Sequence, residues 1–270
     1  MVLNVAHRGA RSLAPENTLA AARKALEVGA DMWELDVGAS ADGQLIVIHD
    51  DSLARTSNAL AVYPSRAPWT FTTFTLAELR ELDFGSWFVE SDPFEQIAAG
   101  VVAAADLASY KGERIPTLRE ALLFTRDHHW QVNVEIKALP APLADFPVVP
   151  AVVALIQELG MTSQVVVSSF VHEKVLETKR LCPAVRTAAL VGIFGPHPTP
   201  IDPTLPVDGF NPWYSMVSNQ EIAQLRRAGK MVIPWTVNDE AEMRRLVAAG
   251  VTGIITDYPQ LLARIVKREA

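Results

Sequence analysis

The chain has 270 residues, 49% of them hydrophobic and 20% charged, and a formal net charge of −7. That is enough for a sizeable core in one large domain or two small ones. The acidic balance excludes a general nucleic-acid or anionic-membrane binder but leaves room for a local basic pocket. The single cysteine, Cys182, excludes an internal disulfide and fits a reducing compartment. No apolar run approaches the ~20 residues needed to span a bilayer, and residues 1–6 lack the basic region and apolar length of a signal peptide. The expectation is a cytoplasmic protein with no stable membrane insertion and no nucleic-acid partner. Nothing in the residue pattern sets an oligomeric state.

Short, nearly continuous apolar runs alternate with segments of helical period. Residues 3–6 form a first strand ending at His7-Arg8. Asn17 stands where an N-cap belongs, ahead of Leu19, Ala22, Leu26 and Ala30 at helical spacing, and Gly29 marks the stop. A second strand covers 32–37 and carries Glu34 and Asp36. An accessory strand at 45–49 ends in His49-Asp50. Residues 51–115 have no clear period but contain Trp69, Phe71, Phe74, Phe84, Trp87, Phe88 and Phe94. A structureless loop of that length is rare, so the insertion reads as a small folded cap. Its aromatics form a mini-core or, as the alternative, a lid facing substrate. Strands over 131–137, 164–170, 186–192, 208–213, 231–238 and 253–257 then alternate with helices over 117–127, 151–160, 172–182, 218–229, 240–250 and 261–267. Pro196, Pro198, Pro200, Pro203 and Pro206 exclude a helix after the strand at 186–192. With the accessory strand set aside, eight strands remain. The pattern predicts an α/β fold, a (β/α)8 TIM barrel with an inserted cap at 51–115, as one domain over residues 1–270. An open doubly wound sheet is the alternative, disfavoured because no GxGxxG follows the first strand.

Apolar strands tolerate charge only where it is paired, hydrogen-bonded or metal-bound. In a barrel of this kind the active site lies at the carboxyl ends of the strands. Side chains two apart in a strand point the same way, so Glu34 with Asp36, and Glu135 with Lys137, project together beside His7 and Arg8. Three neighbouring carboxylates repel unless something cationic sits among them. Arg8 and Lys137 could supply that charge, but a divalent cation is the more economical answer. All-oxygen ligands suit Mg²⁺ or Ca²⁺. His7 and His49 read as an acid–base pair. The positive charge around them suits a phosphoryl guest. His128, His129, His172 and His197 lie at helix ends or in the proline loop, away from this set.

His7-Arg8-Gly9-Ala10 with Pro15-Glu16-Asn17-Thr18, Glu34-x-Asp36-Val37, His49-Asp50, Glu135-Ile136-Lys137, Trp235-Thr236-Val237-Asn238 and Thr256-Asp257-Tyr258-Pro259 follow one another along the chain. In these motifs and their order the chain resembles the glycerophosphodiester phosphodiesterase family. The resemblance implies a TIM barrel that hydrolyses glycerophosphodiesters, its small-molecule substrates, to sn-glycerol 3-phosphate and an alcohol. His7 and His49 would form the acid–base pair. Glu34, Asp36 and Glu135 would hold one divalent cation, Mg²⁺ or Ca²⁺. Arg8 and Lys137 would contact phosphate, and Trp235 would pack against glycerol or the leaving group. Two routes fit it: attack by the substrate's free hydroxyl through a cyclic phosphate, or direct attack by water. A related activity on lysophospholipids, and a binding protein without turnover, are the competing readings. Trp33, the proline loop and Asn211-Pro212-Trp213-Tyr214 depart from the pattern and are expected to shape the cavity.

Overall fold

The structure, a computed structural model, describes residues 2–194, 197–198 and 200–268. Its strands are β1 (Leu3–Ala6), β2 (Met32–Ala39), β3 (Leu45–Val47), β4 (Gln131–Ile136), β5 (Val165–Ser169), β6 (Arg186–Val191), β7 (Gly209–Pro212), β8 (Met231–Val232) and β9 (Gly253–Thr256). All but β3 pair in parallel, in the order β8-β7-β6-β5-β4-β2-β1-β9. The accessory strand β3 pairs antiparallel with β2. Helices follow or connect the strands, and the architecture is the expected TIM barrel.

The barrel closes between its last two strands without a regular ladder. The strand expected over 231–238 is regular only at Met231–Val232, because Pro234 has no N–H to give a neighbour. The segment still bonds on both sides. Ile233 and Trp235 donate to the Phe210 and Pro212 carbonyls at 3.0 Å each, while Pro234 and Val232 accept from Ile255 and Thr252 at 2.9 and 2.8 Å.

Strand parity sorts the side chains. Val5, Met32, Val166, Ala188, Ile233 and Ile255 form one buried cluster filling the barrel axis. Residues of opposite parity face the helices. Trp33 is one of them. It is fully buried, donates from Nε1 to Thr125 Oγ1 at 2.9 Å on the helix Leu118–Asp127, and lies parallel to Trp130. Trp33 therefore packs the outer layer and does not shape the cavity, which corrects the expectation above.

Local chemistry explains the remaining differences. The first helix, Leu19–Glu27, is capped by Thr18, whose hydroxyl accepts from the Ala21 N–H. Asn17 does not cap it, because it takes a left-handed φ of 57° and turns its side chain towards Asp36. The helix expected from 151 starts earlier, as Val148–Glu158, since Pro150 in the first turn withholds only an N–H that has no partner inside the helix. In the proline loop, Ile193–Phe194 pairs antiparallel with His197–Pro198, and no helix occurs among the described residues of 193–206.

The insertion folds into short helices, Ala59–Val62, Leu76–Leu79, Ser86–Ser91 and Ala104–Tyr110, and one 3₁₀ turn. Phe71, Phe74, Phe84 and Phe88 are buried, with Trp69, Trp87 and Phe94 packed partly buried around them. That is the mini-core of the two expectations.

Gly9 fixes where β1 delivers His7 and Arg8. Its φ is +79°, and a Cβ there would lie 2.6 Å from the Ala21 Cβ and 2.7 Å from its carbonyl carbon. Gly9→Ala should destabilise the protein by about 1–3 kcal/mol through overpacking, read as a lower urea midpoint, whereas an unchanged midpoint would show the turn can move away from the helix.

Candidate active site

The parity that places Val5, Met32, Val166, Ala188, Ile233 and Ile255 on the axis carries chemistry one or two steps nearer the carboxyl ends. A cavity of about 380 Å³ opens there, lined by Glu34, Asn133, Glu135, Leu190 and Ile255 from the strands, by His7, Lys137, Phe170 and Trp235 from the residues that follow them, and by Arg8 and His49 from the loops beyond. The structure thus brings the sequence-predicted site residues together. Asp36, buried beneath the mouth, shares a carboxylate cluster with Glu34 and Glu135, in which one oxygen of each lies within 4.8 Å of the others. Asp36 and Glu135 are register partners on β2 and β4. No cap aromatic lines the cavity.

Cations surround the cluster unevenly. The Arg8 Nε lies 3.4 Å from Asp36 Oδ2, while Nη1 donates to Glu16 at 2.8 Å and the Arg8 backbone N–H donates to Glu34 at 2.9 Å. Lys137 Nζ lies 3.9 Å from Asp36 and donates to the His49 carbonyl at 2.9 Å. Burial works against the charge of Asp36, but Arg8, His49, Lys137 and the Asn17 amide hold its carboxyl below the ordinary value. The other two go the opposite way. Burial, then Asp36 and Glu135, push Glu34 well above the usual carboxylate range. Burial and Asp36 push Glu135 up to about 8.

Each histidine is held from behind by a carboxylate. His7 Nδ1 lies 2.6 Å from Asp257 Oδ1, and His49 Nδ1 lies 2.6 Å from Asp50 Oδ1. An ionised carboxylate at Nδ1 selects the tautomer with the proton there and makes Nε2 the acceptor of the neutral ring. Burial and Arg8 lower the His7 pKa, with Asp257 opposing them. Asn238 donates to Asp257 at 2.7 Å and accepts from its backbone N–H at 3.0 Å.

Asp257, Asp50, Asn17, Asn238, Glu16 and Arg55 carry these positions, yet strand-end reasoning gave them no role. One signal was available: Asp257 follows the apolar strand next to β1, one residue past Thr256, the register partner of Ala6. The long-range grip on Glu16 leaves no trace in spacing. Trp235 lies at the rim, its Nε1 donating to the Asn211 carbonyl at 2.9 Å, with Phe170 and Trp213 rings at 5.3 and 5.4 Å.

The cluster fits a divalent cation. Two of its three carboxylates sit in surroundings that disfavour their charge, so the protein's own cations do not neutralise the group. Its donors are all hard oxygens, as Mg²⁺ and Ca²⁺ require.

A parallel barrel with paired histidines and an acidic cluster at its carboxyl-terminal mouth defines a class of enzymes acting on phosphoryl groups. The model of the glycerophosphoryl diester phosphodiesterase family matches residues 7–261. A glycerophosphodiester phosphodiesterase of Caldanaerobacter subterraneus subsp. tengcongensis is 32% identical over 267 residues, covering 98% of both chains. The solved structure of a Silicibacter pomeroyi protein named for the same activity superposes with a TM-score of 0.84 at 29% identity, covering 100% of this chain and 94% of that one. An Oleispira antarctica phosphodiesterase, solved with the product sn-glycerol 3-phosphate, gives 0.77 at 27% identity, covering 97% and 96%. The chain belongs to the glycerophosphoryl diester phosphodiesterase family and is a phosphoric diester hydrolase. No helix among the described residues is long and apolar enough to cross a membrane.

The Asp257–His7 pair makes acid stability a test of this geometry. Burial raises the Asp257 pKa, but His7 and Arg11 overcome it and hold the folded value at about 2, below the ordinary 3.8 of an aspartate. A lowered carboxylate pKa contributes stability that is present above the unfolded value and lost as pH falls through the folded one. Asp257→Asn should therefore flatten the fall in unfolding free energy between pH 4 and about 2, and an unaltered acid limb in urea titrations would contradict the pairing.

Proposed function

We propose that the chain hydrolyses glycerophosphodiesters to sn-glycerol 3-phosphate and an alcohol with one divalent cation and two histidines. It acts as a single catalytic unit over residues 1–270 with the cap included. The observation that carries the reading is the convergence, in one cavity, of two carboxylate-backed histidines and a three-carboxylate cluster. The product bound to the Oleispira relative supports the same product here. Cys182, a lone buried thiol, is consistent with work in the cytoplasm.

Glu34, Asp36 and Glu135 would hold Mg²⁺ or Ca²⁺, which when bound supplies Lewis-acid stabilisation to the phosphoryl oxygens. Arg8 and Lys137 add positive charge beside the same oxygens. The Lys137 ammonium carries three donors and spends one on the His49 carbonyl. His7, which burial favours as the neutral base, accepts at Nε2 the proton of the attacking oxygen, either that of water or that of the substrate's free hydroxyl, whose cyclic phosphate product water then opens. His49 would enter the step as the imidazolium, with Asp50 at Nδ1, and donate its Nε2 proton to the departing alcohol oxygen, ending as the neutral Nδ1–H tautomer. Trp235 packs against glycerol or the leaving group at the rim. The cavity borrows nothing from the cap aromatics, which favours small water-soluble diesters over acyl-bearing lysophospholipids.

His7→Ala and His49→Ala should each lower turnover by roughly 10²–10⁴-fold while leaving the unfolding midpoint near that of the parent. The assay is coupled detection of glycerol 3-phosphate from glycerophosphocholine with Mg²⁺ or Ca²⁺, run beside lysophosphatidylcholine. Full turnover by either variant sinks the acid–base assignment.

Cation binding must displace the protons that burial places on the cluster. Between pH 6 and pH 8, below the Glu135 value of about 8, calorimetric affinity for the cation should tighten by about tenfold per pH unit for each proton displaced. A pH-independent affinity would put the cation elsewhere.

A further inference from the structure

Glu16 is almost completely buried, and three guanidinium groups converge on it. Arg8 Nη1 reaches Oε1 at 2.8 Å and Arg11 Nη2 reaches Oε2 at 2.9 Å. Arg55 donates through Nη1 and Nη2 at 3.0 and 2.7 Å. Two of these arginines continue to the carboxylates behind the histidines. Arg11 Nη1 lies 3.7 Å from Asp257 Oδ1, the oxygen that meets His7 Nδ1. Arg55 donates from Nε to Asp50 Oδ2 at 2.6 Å and from Nη2 to Asp50 Oδ1 at 3.1 Å, and that second oxygen meets His49 Nδ1. The cap holds both arms from outside. The Arg11 guanidinium lies over the Phe94 ring at 5.2 Å and the Arg55 guanidinium over the Trp87 ring at 5.5 Å.

We propose that Glu16 is a positioning residue whose carboxylate, through Arg11–Asp257 and Arg55–Asp50, orients both histidines from one fixed point and ties the cap to that geometry. This rests on the reading of His7 and His49 as the acid–base pair. A buried ion network is weak evidence of stabilisation for its own sake, because desolvation offsets much of the attraction. Here it is built with two branches, each ending at the carboxylate oxygen that meets the Nδ1 of a histidine. Burial pushes the Glu16 carboxyl up, yet Arg55, Arg8 and Arg11 hold it well below the usual carboxylate range, so it stays charged throughout the working pH of the enzyme. Arginine suits the branches because its planar fork engages two carboxylates at once, which a lysine ammonium does not reproduce. The cap aromatics thereby gain a task beyond their mini-core: Trp87 and Phe94 limit how far each fork can swing.

The test is imidazole ¹⁵N NMR of the full chain labelled at histidine, with His7 and His49 assigned by substitution, alongside kcat with glycerophosphocholine. Arg11→Lys should move the His7 Nδ1 signal and leave His49 in place. Arg55→Lys should do the reverse. Glu16→Gln should move both and lower kcat by at least about tenfold. A folded Glu16→Gln protein with both signals unmoved would overturn the proposal, as would either arginine variant shifting both histidines equally or neither. If Glu16→Gln does not fold, the arm-specific pattern of the two lysine variants decides alone. Failure of the acid–base reading is separate, since it shows as retained turnover in His7→Ala or His49→Ala.

Discussion

Three carboxylates crowded at the mouth of an apolar barrel are the constraint around which the rest of the site is arranged. Glu34, Asp36 and Glu135 lie close enough for one ion to touch all three, in surroundings that oppose their charge. The chain answers with two cations of its own. The Arg8 guanidinium and Lys137 ammonium lie 3.4 and 3.9 Å from Asp36, so one carboxylate is held ionised while its two neighbours are pushed towards protonation. A divalent cation held at this cluster would keep all three carboxylates ionised.

From that constraint the placement of the histidines follows. Both line the mouth with a carboxylate behind Nδ1, which on the proposed reading leaves their Nε2 atoms for chemistry. The supporting acids do not crowd the cluster because arginines surround them. Negative charge is thus layered: an inner group that could hold a cation, then an outer group, Asp257, Asp50 and Glu16, stitched together by Arg11 and Arg55. Positive groups alternate with negative ones from the barrel axis out to the cap, which lets an acidic protein present a pocket suited to an anionic guest.

Much of this was legible in the sequence because barrel strands obey a period of two. Glu34-x-Asp36 and Glu135-x-Lys137 had to share a face, and an apolar strand that ends in His7-Arg8 had to present them at its carboxyl end. The insertion's aromatics announced a mini-core because no unstructured stretch of that length would carry so many. Other features obeyed no such period. Trp33 was misjudged because its bulk, and not its parity, drew attention; parity sends it outward to Thr125. Asn17 looked like a cap from its position before the helix, but the turn through Arg8 and Gly9 forces it into a left-handed conformation, and Thr18 takes the capping role. The grip of Arg55 on Glu16, across 39 positions of sequence, depends on how the cap returns to the barrel, which composition and spacing do not encode. Pro234 shortened a strand that its apolar run had suggested was continuous.

The most direct measurement of the central claim is anomalous X-ray scattering from crystals soaked with Mn²⁺ as a stand-in for Mg²⁺ or Ca²⁺. A single strong peak within coordination distance of Glu34, Asp36 and Glu135, between His7 and His49, is the expected result. A peak at another site with none in the cluster, or a cluster that stays empty while enzyme under the same conditions turns over substrate, would contradict it.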